Sequence, residues 1–176
     1  KYKPKYFVVT NSSVFNKVRK KFENKKIKIL DNYKKINFKT NTDLAISAIP
    51  GIAGLSPTLL ILKFTKKILL ANKESVICGW NLIKKKSKKY KVKVVPIDSE
   101  HYSILKLIEN HKINQIRKIY LTASGGPFLN YKPVQFNKIK PKDALKHPKW
   151  NMGKKISIDS STLMNKILEI IEAQKL

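Results

Sequence analysis

The sequence predicts an α/β protein in which short parallel strands alternate with helices. Six runs of β-branched, aromatic and other apolar residues have the length and composition of strands: 6–10, 27–30, 44–49, 67–71, 92–97 and 118–123. Most of these runs are separated by segments in which apolar residues recur at helical spacing. Because parallel strands need long crossover connections, this alternation predicts a mainly parallel sheet with helices packed on it.

Two helices are predicted within the first half of the chain. Segment 12–23 opens with a serine at the N-cap position, and its apolar stripe falls at Val14, Val18 and Phe22. Segment 73–89 has the same periodicity and ends in a run of lysines. Cations are favourable at a helix C-terminus, so these lysines fit the solvated end of a helix.

The pattern of the chain changes after Pro127. A long loop that contains Pro133 and Pro141 leads to a strand-like segment at 154–159. A final helix is predicted from about Ser161 to the end of the chain, since apolar residues again recur at helical spacing. This part of the chain does not continue the regular alternation of the first half.

The formal net charge of +27 raises the question of nucleic-acid binding. A dense basic surface neutralises phosphates and releases counterions. All of the 38 basic residues except Arg19 and Arg117 are lysine, however, whereas recognition of phosphates and base edges favours arginine. No zinc-finger, helix-turn-helix or RNA-binding aromatic motif accompanies the lysines, so the sequence does not favour nucleic acid as a partner.

The sequence carries no membrane or secretion signal. No apolar run reaches the roughly 18 residues that a membrane-spanning helix needs, and the N-terminal segment lacks the apolar stretch of a signal peptide. We therefore expect a cytoplasmic protein with no membrane partner. The single cysteine, Cys78, excludes an internal disulfide and a cysteine-rich metal site, and its place in a predicted helix favours a small buried side chain.

Polar motifs recur at the ends of the predicted strands. They are NKES at 72–75, DSEH at 98–101, SGGP at 124–127 and DSST at 159–162. Ligands of open α/β sheets bind beyond the carboxyl ends of the strands, so this recurrence predicts a site at that edge. Each motif taken singly is weak, because SGGP is typical of a tight turn and Asp-Ser of a helix N-cap.

Two acids stand close together in a chain that has only 11 of them. If their segment is extended, Asp98 and Glu100 point to the same side and can offer two oxygen ligands to one divalent cation. Two solvated acids opposite lysines would have the same spacing. The spacing by itself leaves both interpretations open.

The last predicted helix carries a second polar group. Asn165 and Glu169 are four residues apart and share a face, with Lys166 at its margin. An amide, an ammonium and a carboxylate together can meet a phosphate and a cation, although a plain Lys-Glu surface pair has the same spacing. His147 and Trp150, around a proline in a lysine-rich loop, fit either a structural role or a flap that excludes water from a site.

Five motifs, in this order, resemble those of the 1-deoxy-D-xylulose 5-phosphate reductoisomerase family: LLANKESVI, PIDSEH, LTASGGPF, ALKHPKWNMGKKISIDSSTLMNK and LEIIEA. The resemblance covers nearly the whole chain and is most specific from residue 68 onward. It implies an enzyme of non-mevalonate isoprenoid biosynthesis that depends on NADPH and on Mg²⁺ or Mn²⁺. Such an enzyme isomerises the ketose phosphate by retro-aldol cleavage and recombination, then reduces the aldehyde to 2-C-methyl-D-erythritol 4-phosphate.

The resemblance also implies roles for individual residues. The metal ligands would be Asp98, Glu100 and Glu169. Substrate would be bound by Ser99, Ser124, His147, Trp150, Ser160, Asn165 and Lys166. The cofactor would be bound by Gly51, Asn72, Lys73, Glu74, Met152 and Gly153. The residues expected to act in catalysis are Lys73, Glu100 and His147, and Trp150 with Met152 would belong to a flap over the substrate and the nicotinamide.

The chain departs from the family pattern in several places. Its six glycines are too few to include the Gly-rich dinucleotide fingerprint. We therefore expect 1–97 to be the C-terminal half of an NADPH-binding domain, with a partial Rossmann-like sheet. Residues 98–176 would be the N-terminal part of an α+β catalytic, metal-binding domain. Asn151 stands where a serine is usual, and Ile167 stands where a glycine is usual, beside the expected phosphate site.

Two functional hypotheses follow. The first is a reductoisomerase that acts on a sugar phosphate and is a homodimer at full length, while these 176 residues by themselves do not turn over substrate. The second is a non-catalytic basic α/β module that binds nucleic acid or another polyanion.

Overall fold

The computed structural model describes residues 2–38 and 41–176, and within them the chain forms five strands, all paired in parallel. Two strands form one sheet, β1 (Tyr6–Val8) and β2 (Lys28–Leu30). Three strands form the other in the order β3 (Thr42–Ser47), β4 (Thr65–Leu70) and β5 (Lys93–Pro96). The predicted α/β class is confirmed.

The helices follow the strands in alternation over the first half of the chain. The described residues contain α1 (Ser12–Lys21), α2 (Leu55–Ile61), α3 (Lys73–Tyr90), α4 (Ser99–Ile108), α5 (Pro133–Phe136), α6 (Pro141–Ala144), α7 (Lys154–Ser161) and α8 (Met164–Ala173). Single 3₁₀ turns lie at Tyr33–Lys35, Ile52–Gly54 and Ile113–Gln115. No helix among the described residues has both the length and the apolar character needed to cross a membrane.

The core lies where α2 and α3 cover the larger sheet. Leu62, Ile68 and Ile83 are fully buried, and Val92 is nearly so. Burying an aliphatic side chain contributes about 1.5 to 3 kcal/mol relative to leaving it exposed. This cluster therefore holds α3 against β4, and the site described below lies where these two elements meet.

Two predicted strands are not strands in the structure. Residues 118–123 are irregular, with Ile119 and Tyr120 exposed, because no strand of the described residues offers them a ladder. The segment 154–159 lies in α7. The alternation of Ile156 and Ile158 predicted a strand, in which such alternating apolar side chains are usually buried, but both are partly exposed and Ser157 between them is buried. The Ser157 amide and hydroxyl bond to the Gly153 carbonyl, which closes the first turn of this helix.

Two other expectations also need correction. The final helix, α8, begins at Met164 rather than near Ser161, because Leu163 adopts a left-handed conformation (φ 61°) that separates α7 from α8. Cys78 is exposed rather than buried, since α3 turns other residues, such as Val76 and Ile83, toward the core.

The division of the chain at residue 97 stays a prediction. Helices from the two sides of that boundary, α3 and α8, pack against each other. This packing brings the N-terminus of α3 beside the polar face of α8.

Candidate active site

The site is built on the carboxyl ends of β4 and β5. The first residue of α3, Lys73, follows β4, and the first residue of α4, Ser99, follows β5. Because β4 and β5 are parallel neighbours, the two helix starts lie side by side, as the strand-end rule predicts. The third element, α8, packs on α3.

Asp98 and Glu100 do not lie on an extended segment as the sequence suggested. The strand β5 ends at Pro96, Asp98 is at the N-cap position of α4, and Glu100 is in its first turn. Among the described residues, the Asp98 carboxylate accepts no capping hydrogen bond from α4, because it is turned toward Lys73. The two acids converge by helix geometry rather than by the alternation of a strand.

Two lysines bridge three carboxylates. The Lys73 ammonium lies 2.7 Å from Asp98 Oδ2 and 3.2 Å from Glu169 Oε1. The Lys166 ammonium lies 2.7 Å from Glu169 Oε2 and donates a further hydrogen bond to Glu100. Glu169 is only 1% exposed, so this network is not the solvated surface pair that the helix spacing also allowed.

Asn165 completes the network on α8. Its side-chain oxygen accepts a hydrogen bond of 2.8 Å from Lys73, and its amide nitrogen donates to Glu169. The face shared by Asn165 and Glu169, four residues apart on α8, is the face predicted from the sequence.

Charge and burial act in opposite directions on the ionisable groups of this network. Burial raises the pKa of Asp98, against its bond to Lys73, and the charges of Glu169 and Glu100 raise it further. Burial also disfavours the charged form of Glu100, but hydrogen bonds from Lys166 and Ser99 outweigh it and lower the pKa of Glu100 to about 2. The surroundings therefore disfavour the ionised form of Asp98 and favour that of Glu100.

Both lysines hold their protons firmly. Burial lowers the pKa of each, but the hydrogen bonds and charges of Asp98 and Glu169 raise the pKa of Lys73, and those of Glu100 and Glu169 raise the pKa of Lys166. Each ammonium is thus a fixed positive charge in the network.

The three carboxylates fit a hard divalent cation. One oxygen from each of Asp98, Glu100 and Glu169 lies within 4.8 Å of the others. Oxygen ligands at about 2.0 to 2.6 Å from one ion stand at most about 4 to 5 Å apart, so a single Mg²⁺ or Mn²⁺ can reach all three. The donor set contains only oxygen, which suits these ions.

A cavity of about 450 Å³ opens beside this network. Its walls include eleven of the residues that the sequence resemblance assigned: Lys73, Asp98, Ser99, Glu100, Ser124, Trp150, Met152, Ser160, Asn165, Lys166 and Glu169. This volume is within the range of small-molecule sites. The remaining assigned residues lie outside the wall: Gly51, Asn72, Glu74, His147 and Gly153.

His147 reaches the cavity through Ser124. The Nδ1 atom of His147 accepts the backbone N–H groups of Lys149 at 3.2 Å and Trp150 at 3.0 Å, so the neutral ring carries its proton on Nε2. Nε2 lies 3.1 Å from Ser124 Oγ and can donate to it. Trp150 is 63% exposed, so it is not an ordinary core residue.

The turn after Ser124 packs directly on the end of α7. Gly126 has a positive φ of 63°, and a Cβ there would lie 3.1 Å from the Ser160 carbonyl oxygen and from Ser161 Cα. Only glycine allows this approach without strain. The Gly-Gly turn therefore brings Ser124 and Ser160 into one cavity wall.

Asn72 organises the segment on the predicted cofactor side. Its amide nitrogen donates to the carbonyl oxygens of Ile49 at 2.6 Å and Gly51 at 3.0 Å, and to Glu74 at 3.0 Å. Its side-chain oxygen caps α3 by accepting the Ser75 N–H at 2.8 Å. Apart from the glycines and their chain neighbours, no described residue comes within 4 Å of the position that a Cβ would take at Gly51 or Gly153, so both leave backbone accessible to a ligand.

A buried pair that was not predicted from the sequence lies behind the carboxylates. His101 Nδ1 and Glu172 Oε2 lie 3.2 Å apart, and both residues are almost completely buried. On its other side, the ring Nε2 lies 2.9 Å from the Glu169 carbonyl oxygen. The rarity of acids in the chain was the available signal, because Glu172 lies on α8 three residues after Glu169.

The two departures from the family pattern lie on the surface. Ile167 is 50% exposed and is not among the described residues that line the cavity. Its side chain therefore does not crowd the predicted phosphate position. Asn151 is exposed as well.

The fold and the site together define an α/β protein with an acidic, lysine-bridged centre in a small-molecule cavity at the ends of parallel strands. Two sequence models of one family match most of the chain. Residues 1–79 match "1-deoxy-D-xylulose 5-phosphate reductoisomerase", and residues 94–176 match the "1-deoxy-D-xylulose 5-phosphate reductoisomerase C-terminal domain". The chain belongs to the 1-deoxy-D-xylulose 5-phosphate reductoisomerase family.

Relatives and solved structures agree with this assignment. A reductoisomerase of Pelagibacter ubique is 55% identical over 98% of the chain and 45% of that protein, and one of Clostridium novyi is 44% identical. A crystal structure of DOX-P reductoisomerase in complex with NADPH, fosmidomycin and magnesium superposes with a TM-score of 0.84 at 37% identity, covering 98% of this chain and 46% of that one. The Zymomonas mobilis enzyme in complex with NADPH gives a TM-score of 0.80 at 32% identity, covering 97% and 44%.

The chain therefore spans about half the length of the relatives that it matches. The residues that it supplies include the whole carboxylate centre and the cavity wall described above.

Proposed function

We propose that the full-length protein containing this chain converts 1-deoxy-D-xylulose 5-phosphate to 2-C-methyl-D-erythritol 4-phosphate with NADPH and Mg²⁺ or Mn²⁺. The observation that carries the proposal is the convergence of Glu169 on α8 with Asp98 and Glu100 at the start of α4. Related proteins have this name, and related structures contain NADPH and magnesium. Family membership supports this hypothesis over a non-catalytic basic module.

The carboxylate centre would hold the metal ion. Asp98, Glu100 and Glu169 would be its ligands and leave other positions open toward the cavity. When bound, the ion supplies positive charge that polarises the substrate carbonyl and stabilises the enolate formed as the carbon-carbon bond breaks. Lys73 and Lys166 would remain as fixed cations beside it.

The substrate phosphate would bind in the same cavity, beside the carboxylate centre. Ser124, Ser160, Asn165 and Lys166 line the same cavity and offer hydroxyl, amide and ammonium donors. His147 donates through Nε2 toward Ser124, so it can orient that hydroxyl or meet the phosphate directly. Ser99 hydrogen-bonds to Glu100 at 2.6 Å and would contact the substrate backbone beside the metal ligands.

NADPH would bind on the side of Asn72 and the Gly51 loop. The cofactor supplies the hydride for the reduction step. Met152 lines the cavity and Gly153 leaves its backbone open, so this segment would contact the nicotinamide from the other side. Trp150 at the rim would cover the site and keep water from the aldehyde.

The proposal is tested with the full-length protein and purified ketose phosphate. We expect NADPH oxidation that requires Mg²⁺ or Mn²⁺, stops on addition of a chelator and returns when the ion is restored. A protein that binds NADPH yet shows no metal-dependent oxidation would refute the proposed activity. From the family resemblance we also propose a cytoplasmic homodimer that acts in non-mevalonate isoprenoid biosynthesis.

A further inference from the structure

One ion pair ties the flap segment to the predicted cofactor side. Lys155, in the first turn of α7, places its ammonium 2.8 Å from Glu74 Oε1 in the first turn of α3. The same ammonium lies 2.5 Å from Asp159 Oδ2, one turn further along α7. Side-chain exposure is 20% for Glu74 and 15% for Asp159, so the two carboxylates are mostly shielded from water.

The pair belongs to a chain of contacts that runs to the Gly51 loop. Glu74 Oε2 accepts a hydrogen bond of 3.0 Å from the Asn72 amide, and the same amide nitrogen holds the Gly51 carbonyl at 3.0 Å. Lys155 is thus connected through Glu74 and Asn72 to the loop that is expected to approach the cofactor.

On its other side, Lys155 is close to the flap in the chain. It follows Met152 and Gly153 by three and two residues, and α7 goes on to Ser160 in the cavity wall. The position of α7 therefore sets both Met152 and Ser160. Among the ion pairs of the described residues, Lys155–Glu74 is the one that joins α7 to the residues before 98.

We propose that Lys155 is a positioning residue. Its ion pair with Glu74, called the latch below, holds α7 and the flap residues that precede it against the start of α3, and so preorganises the two sides of the NADPH site. The inference rests on the proposed function. A segment that is already held in place loses less conformational freedom when a ligand binds. Without the latch, NADPH would have to order Met152 and Gly153 itself, and its affinity would fall.

The test is the dissociation constant for NADPH of the full-length protein, measured by cofactor fluorescence without substrate or metal. We expect Lys155→Met to raise this constant about three- to tenfold, as for loss of a partly shielded ion-pair network. Lys155→Arg, which keeps the charge, should stay near the parent value. The matched control is Lys154→Met, an exposed neighbour for which the described part of the chain shows no ion pair.

A second variant separates a latch from direct contact between Lys155 and a cofactor phosphate. In a Glu74→Gln background the latch is already absent, so Lys155→Met should add little further loss. The inference is overturned if Lys155→Met weakens NADPH binding as much in the Glu74→Gln background as in the parent. It is also overturned if Lys155→Met and Lys154→Met have equal dissociation constants for NADPH. A Lys155→Met protein that melts at a lower temperature with unchanged NADPH affinity overturns it as well. If the parent protein itself fails to bind NADPH, the proposed function fails first.

Discussion

Replacement of Glu169 by glutamine perturbs the centre of the proposed active site with little change in shape. Glu169 accepts hydrogen bonds from Lys73, Asn165 and Lys166 and is 1% exposed. Breaking a buried charge pair typically costs about 3 to 5 kcal/mol. Because Lys73 keeps Asp98 and Lys166 keeps Glu100, we expect Glu169→Gln to lower the free energy of unfolding by about 1 to 3 kcal/mol. The fold and NADPH binding should persist, while metal-dependent turnover is lost.

The assay combines urea unfolding with NADPH oxidation by the full-length protein over a range of Mg²⁺ concentrations. Glu109→Gln is the matched control, because Glu109 forms an exposed pair with Lys106 at 2.6 Å and is not among the residues that line the cavity. The control should unfold and turn over like the parent. Parent-like turnover of Glu169→Gln at every Mg²⁺ concentration would refute the reasoning, since the carboxylate would then be neither a metal ligand nor required.

Three further predictions follow from the same network. Lys166→Ala should mainly raise KM for the ketose phosphate, with a loss of about 2 to 5 kcal/mol in transition-state stabilisation. If steady-state kinetics gave a KM like that of the parent, Lys166 would have only a structural role. The pKa of Glu100 is lowered from 4.5 to about 2, so its contribution to stability is present above pH 4.5 and lost as pH falls toward 2. In urea unfolding, the free energy of unfolding should therefore fall less between pH 6 and pH 3 for Glu100→Gln than for the parent. His101→Gln leaves buried Glu172 without its cation and should cost about 3 kcal/mol in urea unfolding. Because Glu172 raises the pKa of His101 above 6.5, this pair stabilises the protein fully below pH 6.5 and its contribution is lost as pH rises through the raised pKa. The difference in unfolding free energy between the parent and His101→Gln should therefore shrink over that range. A difference that does not change with pH would contradict the prediction.

The sequence by itself determined the fold class and the family. Five strands and the two main helices of the first half follow from apolar periodicity, which depends only on which side chains must leave water. The same periodicity failed at 154–159, where alternating Ile156 and Ile158 resembled a strand. A short apolar alternation fits either structure until its neighbours are known, and here the buried Ser157 faces the rest of the molecule.

The residues of the candidate site were also accessible from the sequence, since motifs at strand ends and the family resemblance named them. The family resemblance also grouped Glu169 with Asp98 and Glu100 as metal ligands, although neither periodicity nor spacing placed them together. Only the packing of α8 on α3, a contact between segments far apart in the chain, brings Glu169 beside the other two acids.

The tertiary structure also decided how the charges are arranged. It turned the Asp98 carboxylate away from the helix that it precedes and toward Lys73, and it buried His101 with Glu172 behind the carboxylate centre. The neighbouring residues in the sequence predict neither outcome. An aspartate that precedes a helix can either cap that helix or face a lysine from another element. Periodicity reports the preference of each residue for water or core, whereas a charge network depends on distances that exist only after the helices have packed.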